Sequence, residues 1–264
     1  MRPLLCLLAL SLLAPAPLPV ALAKEGDAPA AQSPLPRRIL VFTKTAGFRH
    51  DSIPAGIKCM RELAAAAKLE VEATEDSAQF TPSNLARFGV VVFLNTTGDV
   101  LPERAQEEAF ERWLEGGGSF MGVHAATDTE FKWPWFARMV GGQFAGHPKV
   151  QPAEQVVVNR THPATAHLPE RWKRTDEWYN FKNLQSDNQV LLRLDEKTYQ
   201  GGRNGDDHPS SWIKPVGRGR MFYTAGGHTK ESYSEPAFRQ HLAGALAWLM
   251  RDAPDAVTPS PAAR

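Results

Sequence analysis

The sequence predicts one α/β domain, a flavodoxin-like three-layer α/β/α sandwich on a mostly parallel sheet. Three observations point there. Continuous apolar runs of strand length, Arg38 to Thr43, Val90 to Leu94 and Ser119 to Val123, suit central strands covered on both faces. Segments with helical apolar spacing separate them, and this alternation is the pattern of a parallel sheet with right-handed crossovers. The runs end in polar or histidine-bearing loops, and these exits, at Thr43, Leu94 and Val123, would share the rim where open α/β sheets bind ligands.

After the first strand, Lys44 to Ile53 is a polar loop with a glycine, two cations and a histidine. Pro54 then opens a helix in which Ile53, Ile57, Met60, Ala64 and Ala67 recur, with Ser52 as the expected N-cap. Free N–H groups at such a helix start favour an anion or a sugar hydroxyl. Leu69 to Thr74 alternates and reads as an edge strand, and Thr81 to Leu85 as the start of a short helix. Val90 to Leu94 runs into a second polar loop, Asn95 to Asp99. Pro102 to Glu115 is an amphipathic helix with Ala105, Ala109, Phe110, Trp113 and Leu114 on one face. Beyond the strand Ser119 to Val123, aromatics crowd Phe131 to Phe136; they suit either a satellite core or stacking on a sugar ring. Strands are expected over Gln155 to Asn159, Thr175 to Phe181, Asn188 to Leu194, His208 to Ile213 and Met221 to Ala225, and a final helix holds Phe238, Leu242, Ala245, Leu246 and Leu249. His162 and His167 read as solvated.

The ends bear on compartment. Arg2, the apolar run Leu4 to Leu13 and the small-x-small stretch Ala21-Leu22-Ala23 read as a signal peptide over 1–23. The run falls short of the roughly 20 residues of a spanning helix, and Pro15, Pro17 and Pro19 break the segment after it. The expectation is a periplasmic or secreted protein, free of the membrane after cleavage. Residues 24–36 and 253–264, rich in Ala and Pro, are expected to be a disordered leader and a flexible tail around a domain at 37–252. Of the two cysteines, Cys6 leaves with the signal, so Cys59 has no disulfide partner and the fold depends on its core. Losing Arg2 leaves 29 basic against 29 acidic residues. A nucleic-acid binder needs a basic excess; a small neutral ligand fits better.

Two stretches carry candidate chemistry. In Gly122-Val123-His124 a buried strand delivers a histidine to the sheet's carboxyl rim, and Gly226-Gly227-His228 repeats the pattern after the last strand. Either histidine could also be a hydrogen-bonded core residue. Asp176-Glu177-Trp178-Tyr179 alternates, placing Glu177 and Tyr179 on one face; a carboxylate beside a histidine can transfer protons or orient the imidazole. The bland alternative is a surface carboxylate in a salt bridge.

Taken together, Lys44-Thr45-Ala46-Gly47-Phe48-Arg49-His50, Gly122-Val123-His124, Gly146-His147-Pro148, Asp176-Glu177-Trp178-Tyr179 and Gly219 to Tyr223 with Gly226-Gly227-His228 resemble the ThuA-like (trehalose utilisation) family, in the class I glutamine amidotransferase-like superfamily. The resemblance covers roughly 37 to 251. It implies the flavodoxin-like core and a link to carbohydrate metabolism near sugar oxidation. It also exposes a departure: that superfamily places a catalytic cysteine in a Gly-x-Cys-x-Gly elbow, where this chain has Gly122-Val123-His124-Ala125-Ala126. Thiolate amide transfer is not expected.

The expected function is therefore acid-base chemistry on a sugar or keto-sugar, with His124, Glu177 and His228 catalytic and Lys44, Gly47, Arg49, His50, His147 and Tyr179 binding substrate. No cofactor is required by this reading. Two alternatives stay open. One is a non-catalytic carbohydrate-binding or accessory protein. The other is a divalent-metal enzyme, since His50, His124, His147, His228 and Glu177 could hold a zinc ion, although no His-x-x-x-His or Cys-x-x-Cys spacing is present.

Overall fold

The computed structural model describes residues 34–252. The expected signal peptide, most of the leader and the tail lie outside these residues. Strands β2 (Glu70–Thr74), β1 (Arg38–Phe42), β3 (Val90–Leu94), β4 (Ser119–Val123) and β11 (Gly219–Thr224) lie side by side in that order, all parallel. Beyond β11 the sheet continues through β10 (Pro209–Val216), β9 (Gln189–Leu194), β6 (Gln151–Val157) and β7 (Arg171–Asp176), each antiparallel to its neighbour. The architecture is mixed α/β with a large, mostly parallel central sheet, consistent with the flavodoxin-like expectation. The reversal at β10 has a local cause: only Gly217-Arg218 separates it from β11, with Gly217 at φ 58°. A parallel pair needs a crossover of a dozen or more residues.

The apolar runs sort by alternate residues onto the two faces. Ile39, Val41, Val90, Val92, Met121 and Val123 pack under α1 (Ile53–Ala66) and α5 (Pro236–Leu249). Leu40, Phe42, Val91, Phe93 and Phe120 pack under α2 (Pro82–Leu85), α3 (Arg104–Glu115) and α4 (Pro134–Val140). This period of two, apolar on both phases, is why the runs are unbroken. Cys59 is buried in the first layer, where desolvation pushes its thiol up to about 11.

Several boundaries moved for physical reasons. Ser52 does not cap α1 through its side chain; its hydroxyl instead donates to Gly227 O at 3.2 Å. The helix expected from Pro102 starts at Arg104, where the Gln106 side chain accepts from Glu103 N. The strand expected over Gln155 to Asn159 lies at Gln151–Val157, and the one expected to run through Phe181 stops at Asp176. Asn180–Lys182 forms a separate strand, β8, paired with β5 (Gln143–Gly146). Trp133 and Phe136 belong to the α3–α4 core, stacked 5.7 Å apart, so the aromatic stretch is packing rather than a sugar platform. His162 is fully buried, its Nδ1 accepting from Ala164 N, and His167 is half-buried against Ala237 O; neither is solvated.

One long-range feature positions the site. β7 lies four strand steps from β11, about 19 Å in a flat sheet at ~4.8 Å per step. Yet the carboxylate of Asp176, the last residue of β7, accepts from Gly227 N, just past β11, at 2.8 Å. The antiparallel half therefore curls around α5. Trp172 on β7 joins that helix's core layer and donates to Glu235.

Phe93 sits at the centre of the second layer, with ring contacts to Phe42, Phe80, Phe110, Phe120 and Phe136. Replacing it with alanine is expected to cost about 3–5 kcal/mol in urea unfolding, since the ring's neighbours cannot collapse into the void. A loss below ~1 kcal/mol would contradict this packing account.

Candidate functional site

Four strand ends converge on one pocket. His50 comes from the loop after β1, His124 directly follows β4, Glu177 directly follows β7, and His228 lies beyond β11. Their ligand atoms all lie within 4.8 Å of one another. The imidazole centroids are 4.9 Å apart for His50–His124 and 5.2 Å for both His50–His228 and His124–His228. The pocket, about 260 Å³, is lined by His50, Glu177 and His228 together with Phe48, Asp128, Phe144, His147 and Tyr179, and His124 lies fully buried behind them. That volume falls just below the ~300–1,000 Å³ typical of drug-sized ligands and suits a single sugar ring. Larger depressions of about 550 and 500 Å³ flank α1, but their charged walls are surface groups paired with each other, such as Lys58–Glu62 and Arg239–Glu62.

His124 occupies a strained elbow. Its φ is +50°, the left-handed region, which costs a non-glycine residue of order 1–3 kcal/mol. Tyr223 Oη donates to His124 O at 2.8 Å and holds the turn. Gly122 packs closely beneath it, and a Cβ there would come within 3.1 Å of both Ala126 and Tyr223. The ring is fully buried, and Nδ1 lies 2.7 Å from Ala225 O. A carbonyl oxygen can only accept, so Nδ1 is the donor here and Nε2 is the nitrogen left to face Glu177. That nitrogen makes no hydrogen bond, although Glu177 Oε2 is 3.5 Å away.

Glu177 is the hub. Its Oε2 faces His124 and, at 3.2 Å, His228 Nδ1; its Oε1 is 2.9 Å from His147 Nδ1. Burial pushes this carboxyl up, but the adjacent His124 and His228 outweigh it and hold it down at about 2. Burial lowers His228, and the neighbouring carboxylates more than restore it, leaving a net rise. His50 moves the other way, to about 3, through burial first and then the other two imidazoles. At neutral pH the pocket thus holds an ionised Glu177 and a neutral, deeply buried His50 whose Nδ1 has no hydrogen-bond partner. Tyr179 lays its ring 4.2 Å from that of His124, and its carbonyl accepts from His208 Nε2. Burial raises the Tyr179 phenol well above its ordinary value, so it stays a donor.

A residue that spacing did not single out fixes this geometry. Asp176, fully buried, accepts from Glu177 N at 2.9 Å, Gly227 N at 2.8 Å and His228 N at 3.1 Å, and pairs with the buried Arg174 at 3.0 Å. Gly226 must be glycine, since a Cβ would meet Arg174 at 2.3 Å. Ser52, Asn95 and Tyr233 complete the clamp by donating to Gly227 O. The sequence signal was the acid immediately before Glu177, indistinguishable there from a surface carboxylate.

Of the expected residues, His124, Glu177, His228, His50, His147 and Tyr179 meet in the pocket. Lys44, Gly47 and Arg49 do not line it. Lys44 Nζ donates to Ser77 Oγ, Arg49 pairs with Glu75 at the surface, and Gly47 N donates to Thr97 Oγ1. The loop therefore delivers Phe48 and His50 inward and its cations outward. Phe48 is 66% exposed at the pocket mouth.

A flavodoxin-like α/β domain with a histidine–carboxylate pocket at its strand termini defines the class of this protein. The chain belongs to the ThuA family, described as trehalose utilisation, whose pattern it matches over residues 38–249. It is similar to a ThuA-like protein of Bacteroides uniformis at 26% identity, covering 84% of this chain and 95% of that one, with a TM-score of 0.70. A ThuA-like protein of Parabacteroides merdae, 18% identical with 85% and 93% covered and a TM-score of 0.68, shares the fold. So does a domain of a β-galactosidase from Rahnella sp. R3, at 12% identity and a TM-score of 0.54, where the match covers 81% of this chain and 31% of the enzyme. No curated protein matches the chain.

Asp176→Asn removes the fully buried one of the two carboxylates that hold the Arg174 guanidinium and leaves only Glu235, at 2.9 Å. Breaking a buried pair in this way costs about 3–5 kcal/mol, and chemical denaturation of the variant is expected to show it. A loss within ~0.5 kcal/mol, typical of surface substitutions, would remove the clamp from the account of the site.

Proposed function

We propose that this protein is a divalent-metal-dependent enzyme acting on a sugar or keto-sugar, with a zinc-type ion held by His50, His124, His228 and Glu177. The observation that carries the reading is the meeting of His124 Nε2 and Glu177 Oε2. Nδ1 donates to Ala225 O, so Nε2 is the nitrogen turned toward the carboxylate, and in the neutral ring two acceptors face each other in a buried site without a hydrogen bond between them. Unpartnered buried nitrogens on His50 and His228 face the same point. Such a donor set fits a cation at its centre. A tetrahedral zinc site spaces its ligand atoms by about 3.3 Å, so the 4.8 Å span needs only a small rotamer contraction. A bound ion of this kind polarises a carbonyl or activates a water.

The His-x-x-x-His spacing absent from the sequence is a requirement of sites built on one helix. Ligands drawn from four strand ends have no characteristic spacing. The sugar part of the reading is supported by the family's description and by the small pocket, with Phe48, Phe144 and Tyr179 for C–H faces and polar groups at its base. Export is supported by the signal-like segment 1–23 and has no bearing on the chemistry.

Protein purified without a polyhistidine tag is expected to contain about one zinc-type ion per chain by elemental analysis. Chelation should lower Tm by about 5–10 °C, the equivalent of ~2.7 kcal/mol for a ligand at a hundred times its Kd. His124→Ala and Glu177→Gln should lose most of the metal while staying folded. A wild-type chain that takes up less than a tenth of an equivalent after incubation with zinc, with no thermal shift, refutes the metal. Retention of a disaccharide with no product would then favour the binding-protein alternative.

A further inference from the structure

Asp128 ends the turn His124–Asp128 that follows the elbow, and it lines the pocket beside Phe144, His147 and Tyr179. Its backbone is committed, since its carbonyl accepts from Gly98 N at 2.8 Å. Its carboxylate is not: among the described residues it accepts no hydrogen bond and forms no contact ion pair, and burial raises it to about 6 against a longer-range attraction from His124, His147 and Lys182. A half-buried carboxylate left without a partner is a cost the fold carries for some other purpose.

The other polar groups of the pocket are already engaged. Glu177 gives both oxygens to imidazoles, His147 is spent on Glu177, and His50, His124 and His228 form the cluster. Tyr179 remains protonated. Asp128 alone among the lining residues is an uncommitted base.

We infer that Asp128 is the proton-transfer residue of this site, removing a proton from the carbon next to the carbonyl of a bound keto-sugar. The inference rests on the metal-dependent reading above. In the step, the substrate C–H bond breaks, the proton passes to a carboxylate oxygen of Asp128, and the electron pair moves into the C–C bond as the carbonyl oxygen gains charge. The carboxylic acid then returns a proton to the same carbon as the electron pair moves back from the oxygen, regenerating the keto-sugar with its hydrogen exchanged. No oxidant or co-reactant is consumed.

The test uses the zinc-loaded full-length protein in D2O with a methyl ketoglucoside as probe, following hydrogen–deuterium exchange beside the carbonyl by NMR. Wild type is expected to catalyse exchange. Asp128→Asn should lower kcat by about 10²–10⁴-fold, with metal content and Tm unchanged, and Asp128→Glu should recover part of the rate. Exchange by a metal-loaded Asp128→Asn within threefold of wild type overturns the assignment of Asp128 and leaves the metal site standing. A wild-type chain that holds its metal and exchanges nothing also overturns it. A chain that binds no metal refutes the underlying reading instead, so the two failures are distinguishable. Should Asp128→Asn not fold, Asp128→Ser, smaller and without charge, is read by the same criteria.

Discussion

The buried carboxylate of Asp176 holds this structure's chemistry together. It lies at the end of the edge strand β7 and bonds to the backbone just past the central strand β11, drawing Glu177 and His228 to the same point. Arg174 neutralises it and is itself tied to Glu235, ahead of α5, so the clamp also fastens the curled antiparallel half onto the helix it wraps. A charge pair this deep in the protein is tolerable only because the remaining lone pairs are filled by backbone N–H groups and Ser232. The same interaction thus sets the curvature of the sheet and the spacing of the pocket.

Around that clamp, the pocket is a set of imidazoles and one carboxylate aimed at one another. The left-handed elbow at His124 aims the ring, and the Ala225 carbonyl fixes which nitrogen is bare. Glu177 stays ionised because imidazoles surround it, and His50 stays neutral because burial and the same imidazoles oppose its protonation. Local strain and mutual electrostatic conflict are the signs of a site built for something other than stability. The elbow after β4 carries an imidazole, and the thiol of Cys59 is packed inside α1 with a raised pKa.

The neighbouring loops divide into those that face the pocket and those that brace it. The β1 loop contributes Phe48 and His50 while Lys44 and Arg49 pair outward. The β3 loop contributes no lining side chain; Asn95, itself at φ 53°, supports Gly227 instead. An exposed-looking run of polar residues therefore mixes recognition with scaffolding, and only the direction of each side chain tells them apart.

Much of the fold was legible in the sequence because its signals are local. Apolar runs on both phases of a strand mark burial on two faces, helical spacing marks α1, α3 and α5, and glycine–histidine pairs after two strands drew attention to His124 and His228, as the alternation of its stretch did to Glu177, while His147 entered through the family-like segments. What the tertiary structure decided is long-range. The curl that returns β7 to β11, the Asp176 clamp and the freedom of the Asp128 carboxylate depend on contacts between residues tens of positions apart, which no periodicity encodes. Likewise the aromatic run Phe131 to Phe136 left core and ligand readings open and the buried His162 read as solvated, since what a side chain faces is set by packing rather than by its neighbours in sequence. A pocket assembled from four separate strand ends has no spacing of its own, so only the closed sheet reveals that these groups meet.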